Sequence, residues 1–245
     1  MDRESAGVQA VYSAVDFETA VTQGAPRTAV FDCDGTLWSG DAGYGFMIWS
    51  MAQGLVSRNA CDWIDSRYRQ YLAGQVSELE MCGEMTQLYC GLREDELRAA
   101  ARTFFRAHVQ RNIFPEMASL VETLRSAGVE LWAVSSTNNW VIEEGVSDFG
   151  IGPERILSAR VRVAEGIATS DLIAVPTDEH KASALIDAGL AQPDAVFGNS
   201  IHDAAMLSLA RNAYPVNPTP ALLERAEAEG WPVFYPASVL RDSKA

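Results

Sequence analysis

The stretch Asp32-Cys33-Asp34-Gly35-Thr36 directly follows a short apolar, β-prone run, residues 28–31. Residues two apart share one face of a strand, so Asp32 and Asp34 project the same way. Carboxylates held side by side repel each other. A fold that keeps them together usually gains a metal site or an acid/base pair in return. The plainer reading is a strand that ends in an Asp-Gly turn. The rest of the chain decides between the two.

A β/α rhythm surrounds this motif. Residues 8–23 have a helical pattern, and the next strand-like segments fall at 130–134, 195–197, 213–216 and 233–235. Residues 156–163 and 172–175 flank Gly166 as a candidate hairpin. Helical segments lie between: Pro115 opens one that ends near Gly128, 139–145 begins another, and 178–188 follows Thr177 as a plausible cap. Residues 203–210 form a further helix, and another ends at Gly230. Strands alternating with helices imply a parallel sheet covered on both faces, with its site beyond the carboxyl ends of the strands. The polar residues fall there: Asp32 and Asp34, then Ser135-Ser136-Thr137-Asn138, then Gly198-Asn199-Ser200-Ile201-His202-Asp203.

Between the first two strands lies a region of different character. Tyr44, Met47, Ile48, Met51 and Leu55 follow helical spacing, as do three later stripes ending near His108. About four helices without a strand make a small helical domain over residues 41–111, inserted into a core of residues 1–40 and 112–245. Gly40, Gly43 and Gly45 are expected to form a hinge between them. Glu80 and Glu84, at i and i+4, suit a solvated helix face.

The chain has 245 residues, 48% apolar and 21% charged, with a formal net charge of −14. That balance argues against nucleic acid or an anionic membrane as the main partner. No run is long enough to span a membrane, and the N-terminus has no signal-peptide pattern. The four cysteines lack a Cys-x-x-Cys spacing, which suits reduced thiols in a cytoplasmic protein.

Taken with Lys181, the loops compose one chemistry. Asp32 can attack phosphorus and form an aspartyl-phosphate. Asp34 can protonate the leaving oxygen and then activate water. Ser135, or Ser136 in the competing register, can hold a phosphate oxygen, with Lys181 supplying positive charge. Asn199 and Asp203 can complete an oxygen-only Mg2+ shell with Asp32 and Asp34.

Together these residues resemble the first to fourth motifs of the haloacid dehalogenase superfamily. Asp32 to Thr36 match its Asp-x-Asp-Gly-Thr signature. Ser135, Lys181 and the segment from Gly198 to Asp203 follow in the family's order. The resemblance implies a Rossmann-like core, Mg2+ dependence, Thr36 among the phosphate-binding residues, and a helical cap inserted after the first strand. The hairpin candidate is similar to that of the phosphoserine-phosphatase-like subgroup. Two departures stand out. Asn199 replaces the usual aspartate, so a negative charge is missing. In the cap, Asp41 matches the spacing of the subgroup's amine-binding glutamate. The position of its carboxylate-binding arginine falls near Met85, and no basic residue lies between Gln70 and Gly91. Asp41 with Trp38, Tyr44 or Trp49 would suit an amino-bearing or cationic phosphate monoester.

The resulting expectation is an α/β phosphatase acting on a small phosphorylated metabolite. A phosphotransferase or mutase on the same nucleophile, a carbon–halogen hydrolase, against which Asp34 argues, and a non-catalytic phosphate-binding protein are the alternatives. His202 is expected to be an ordinary loop residue.

Overall fold

The computed structural model of the protein describes residues 11–242. It opens with β1 (Val11–Tyr12), α1 (Ala14–Gln23) and β2 (Thr28–Phe31). Four helices follow without an intervening strand: α2 (Ala42–Ala52), α3 (Arg58–Leu72), α4 (Glu78–Gln87) and α5 (Glu94–Phe104). A π-helical turn at Phe105–Val109 and a 3-10 turn at Gln110–Asn112 lead back to the core. There the chain continues through α6 (Pro115–Ser126), β3 (Glu130–Asn138), α7 (Asn139–Ser147), β4 (Ile156–Ala164), β5 (Ile167–Ala174) and α8 (Glu179–Asp187). It finishes with β6 (Ala195–Gly198), α9 (Ala204–Leu209), β7 (Asn212–Pro215), α10 (Pro220–Glu229), β8 (Val233–Phe234) and α11 (Ala237–Asp242). No helix among the described residues is long and apolar enough to cross a membrane.

Six strands form one sheet in the order β5-β4-β3-β2-β6-β7. Neighbours run parallel except β5, which turns back antiparallel on β4. The chain leaves β2 for β3 on one side and reaches β6 on the other only later. The crevice beyond the carboxyl end of β2 is therefore the switch point of the sheet, where open α/β folds bind ligands.

Alternation along the strands supplies a core on each face. Ala29, Phe31, Leu131, Ala133 and Phe197 pack with Phe17, Met117 and Leu120, while Val30, Trp132, Val134 and Val196 pack with Leu185, Met206 and Leu222. Phe31 stacks on Phe197 at 4.5 Å between ring centroids, which locks the two strands that carry the acidic loops.

The hairpin β4–β5 is present, and its second strand starts earlier than the sequence pattern suggests. Glu165 and Gly166 both have positive φ, 51° and 75°, as a tight two-residue turn requires. The hairpin also supports α4 and the turn into α5. The amides of Gly91 and Glu94 donate to the carbonyls of Ala168 and Gly166, and the Gln87 side chain donates to the Ser170 carbonyl.

Several local expectations need correction. The N-terminal helical pattern resolves into two elements: residues 11–12 pair with β8, and Ser13 then caps α1 by accepting the Asp16 amide. Residues 8–10 of that stretch lie outside the described residues. Thr177 does not cap α8, for its buried hydroxyl has no partner among the described residues and its carbonyl accepts the His180 amide instead. The helix starts after Asp178, whose φ of 48° lies in the left-handed region, and whose carboxylate bonds His202 Nδ1 at 2.7 Å. Of the three glycines expected to form a hinge, only Gly40 has positive φ. Gly43 and Gly45 lie inside α2, where a Cβ would come within 2.5 Å of Thr137 Oγ1 and 3.0 Å of Phe104. They permit close packing. Glu80 is exposed, as a solvated face implies, and closes a capping box with Ser77; Glu84 is instead half-buried and pairs with Arg67 at 2.7 Å.

Candidate active site

The floor of the site is a buried ion-pair chain. Lys181 projects from the first turn of α8, and its Nζ lies 2.7 Å from Asp32 Oδ1 and 2.5 Å from Asp203 Oδ1. All three residues are buried. Burial alone would lower the Lys181 pKa. The charges of Asp203 and Asp32 outweigh that and hold it above its ordinary value, so the ammonium stays charged. Asp32 is pushed up to about 6, first by burial and then by the Asp203 charge, with Lys181 and Thr36 acting in the opposite direction.

Asp34 occupies a different environment. Its Oδ1 accepts from Trp38 Nε1 at 2.6 Å and from the Ala42 amide at 2.7 Å, while its Oδ2 accepts the Thr137 hydroxyl at 2.8 Å. These three donors come from the loop after β2, the start of α2 and the end of β3. One carboxylate thus ties the core to the first inserted helix. Desolvation, followed by the charge of Asp41, pushes its pKa up to about 7 despite those bonds. At neutral pH such a group is poised between acid and base.

The fourth loop is shaped around Asp203. Its Oδ2 accepts the amides of Asn199 and Ser200, both at 2.9 Å. A side chain at Gly198 would strike Asp203, its Cβ falling 2.6 Å from that of the aspartate. Likewise, Gly35 has φ 79° and lies so close to Asn199 that a Cβ there would overlap the amide. The two glycines bring the first and fourth motifs into contact.

A cavity of about 270 Å3 opens over this floor. Asp32, Asp34, Ser135, Ser136, Thr137, Lys181 and Asn199 line its lower part. Ser135 Oγ accepts the Thr137 amide at 3.1 Å, which leaves its own proton to donate. Asn138, rather than either serine, caps α7. The upper wall consists of Asp41, Tyr68, Tyr71 and one face of α4, namely Glu78, Met81, Cys82 and Met85.

The structure thus brings together most of the residues singled out in the sequence, with three corrections. Thr36 does not face the cavity: it is buried and donates its hydroxyl to Asp32 Oδ2 at 2.9 Å, so it orients the carboxylate rather than touching phosphate. Asp203 does not line the cavity either, because Lys181 and the loop amides occupy both its oxygens. Asp41 does reach the cavity, and it is also the N-cap of α2, accepting the Tyr44 amide at 2.8 Å. Its outer surface is exposed, yet desolvation at the crowded rim and the charge of Glu78 raise its pKa. The aromatic partners differ from those expected. Trp38 is buried against Phe105, Trp49 packs on Phe46, and Tyr44 stacks on Tyr68 at 4.6 Å; Tyr68 and Tyr71 are the rings that line the cavity.

Sequence reasoning placed Thr137 in a site loop without giving it a role, and it missed Tyr68, Tyr71 and Glu78 as site residues. It also passed over His202, which reaches the cavity rim from the fourth loop. Met85, the position matched to a carboxylate-binding arginine, does line the cavity.

The model of the haloacid dehalogenase-like hydrolases matches residues 29–208, most of the chain. The chain belongs to this family. Within this hydrolase, the matched span runs from β2 through the Lys181 and Asp203 motifs. A histidinol-phosphatase of Neisseria meningitidis serogroup C is 24% identical over 217 residues, covering 84% of this chain and 97% of that protein. A solved structure of a protein with unknown function from Bordetella pertussis Tohama I superposes with a TM-score of 0.75 at 22% identity, covering 85% of this chain and 98% of that one. A substrate-bound phosphoserine phosphatase superposes with a TM-score of 0.60 at 13% identity, covering 89% and 96%. At such identities the solved structures speak for a shared fold.

Among the described residues, no cluster of three His, Cys, Asp or Glu side chains has the arrangement of a metal centre. The donor set at the floor is nonetheless hard and anionic: Asp32 and the amide of Asn199 face the same cavity as Asp34. A small divalent cation that takes one or two carboxylates and fills its shell with waters and phosphate oxygens fits such a set. The Asp34 carboxylate, with three protein donors already on it, is the poorer ligand.

Proposed function

We propose that this hydrolase is a Mg2+-dependent phosphatase that cleaves a small phosphate monoester through a covalent aspartyl-phosphate on Asp32. The observation that carries the reading is the pairing of Lys181 with both Asp32 and Asp203 beneath the cavity. It leaves a carboxylate at the cavity floor, oriented by Thr36 and Lys181, where an incoming phosphoryl group would sit.

Asp32 attacks phosphorus while the ester bond to the leaving oxygen breaks. Asp34, with its raised pKa, gives that oxygen a proton. Asp34 then takes a proton from the water that attacks the aspartyl-phosphate, which releases inorganic phosphate and restores Asp32. Ser135 and Ser136 donate to phosphoryl oxygens, and Lys181 keeps positive charge beside them. Mg2+ held by Asp32 and Asn199 would supply further charge neutralisation on the phosphoryl oxygens. Asn199, being neutral, weakens that hold relative to an aspartate.

The wall of Asp41, Glu78, Tyr68 and Tyr71 favours a leaving group that carries an amine or other cation. The Neisseria relative's name makes histidinol phosphate, an amino-bearing ester, the first compound to try. The direct test of the reading is hydrolysis of p-nitrophenyl phosphate with Mg2+. We expect turnover that a chelator silences and added Mg2+ restores; absence of turnover at any Mg2+ concentration would overturn the reading.

A further inference from the structure

The cavity has a lopsided charge distribution. Four of its lining side chains are carboxylates, Asp32, Asp34, Asp41 and Glu78, while Lys181 and His202 are its basic groups among the described residues. Lys181 is already shared between Asp32 and Asp203. The upper wall therefore has acid without a strong base.

Glu78 and Asp41 are not equivalent there. Asp41 is engaged as a helix cap. Glu78 sits at the first position of α4, where the capping duty belongs to Ser77 and Glu80, so its side chain is not needed to start the helix. Its partners are a phenol and a thiol: Tyr71 Oη donates to Oε2 at 2.5 Å, and Cys82 Sγ donates to Oε1 at 3.4 Å. The nearest basic nitrogen is His202 Nε2 at 3.9 Å, and His202 bonds Asp178 through its other nitrogen. Glu78 is only 17% exposed, so water screens it little. Tyr71 fixes its position, and Tyr68 lines the same wall.

We propose that Glu78 is the residue that selects the substrate, by pairing with a protonated amine on the leaving group of the phosphate ester. This inference rests on the phosphatase reading above. A half-buried carboxylate held by a hydroxyl has unused acceptor capacity, and an ammonium can make a charge-assisted hydrogen bond to it. The same wall rejects a leaving group that bears a carboxylate. Met85 and the rest of the α4 face offer that group no cation, and Glu78 repels it.

The test compares amine-bearing esters with partners in which the amine is capped. The values of kcat/KM are measured for histidinol phosphate and O-phosphoethanolamine, each against its N-acetyl derivative, with wild type, Glu78→Gln and Glu78→Asp. Wild type should prefer at least one amine over its acetyl partner by about tenfold or more, the size of one charge-assisted bond. Glu78→Gln keeps the shape and an acceptor for Tyr71 but lacks the charge, so the preference should fall to within about twofold. Glu78→Asp should restore part of it. A structural role for Glu78 would lower both members of a pair alike and leave their ratio unchanged, and that result would overturn the inference. So would wild-type hydrolysis of p-nitrophenyl phosphate with no preference for either amine, an outcome that leaves the phosphatase reading intact. Failure of wild type to hydrolyse any phosphate ester would overturn both.

Discussion

The floor and the wall of the cavity are both acidic, yet they treat their carboxylates in opposite ways. At the floor, Asp32 and Asp203 are buried and bound to Lys181, and Asp34 has three donors. In the wall, Glu78 and Asp41 face no lysine or arginine among the described residues lining the cavity. The floor's charges are fixed by partners that arrive from four separate loops of the sheet. The wall's charges sit on the inserted helices, Asp41 at the start of α2 and Glu78 on α4, which rests on the β4–β5 hairpin. The contrast teaches a division of labour: chemistry needs carboxylates held in place, and selection needs a carboxylate whose strongest bond is still to be made.

Substitutions can break or sharpen this contrast. Floor changes should depress every phosphate ester alike, whereas wall changes should alter preference among esters. The largest effect is expected from Asp32→Asn, with a loss of hydrolysis on the order of a thousandfold or more for all substrates and an unchanged circular dichroism spectrum. Activity within tenfold of wild type would exclude Asp32 as the nucleophile.

Lys181→Met comes next. It leaves two buried carboxylates without their shared cation, and removing one partner of a buried pair costs about 3–5 kcal/mol. Chemical denaturation of the metal-free protein should register that loss, with activity also falling by roughly a hundredfold. A stability change below 1 kcal/mol would mean that the floor is not held together by this pair.

A smaller change is expected from Asn199→Asp, which returns a negative charge to the floor. The Mg2+ concentration giving half-maximal activity should fall, by roughly tenfold. An unchanged titration would place the metal elsewhere.

The smallest effect concerns pH. Asp34 has a pKa raised from 3.8 to about 7 in the folded chain, so folding takes up a proton across that window. The sign follows: the contribution of this group to stability falls as pH rises from about 4 to about 7, and Asp32, raised to about 6, acts in the same direction. Metal-free wild type should therefore lose more Tm between pH 5 and pH 8 than Asp34→Asn does, by a few degrees. Equal losses would contradict the burial penalty assigned to Asp34.

The sequence made the floor legible and left most of the wall unread. The floor residues lie next to their strands, so the run before Asp32 and the order of Ser135, Lys181 and Asp203 carry both fold and site. Two floor residues have internal partners instead of facing the cavity, and sequence cannot tell which oxygen faces the cavity and which is consumed internally. Thr36 serves Asp32, and Asp203 serves Lys181. In the wall, Glu78, Met81, Cys82 and Met85 fall at i, i+3, i+4 and i+7, the spacing of any packed helix face. Nothing local distinguishes a stripe that meets the core from one that roofs a cavity. Thr137 was hidden for another reason: its duty depends on Asp34, more than 100 residues away, and on the room left by Gly43.

The central claim is a phosphoryl group carried on Asp32. The most direct measurement is acid quenching of the enzyme during turnover of a 32P-labelled ester, followed by tryptic mapping. The label should appear on the peptide spanning residues 28–58 in wild type and be absent in Asp32→Asn. Label on any other peptide, or label retained in Asp32→Asn, would contradict the account.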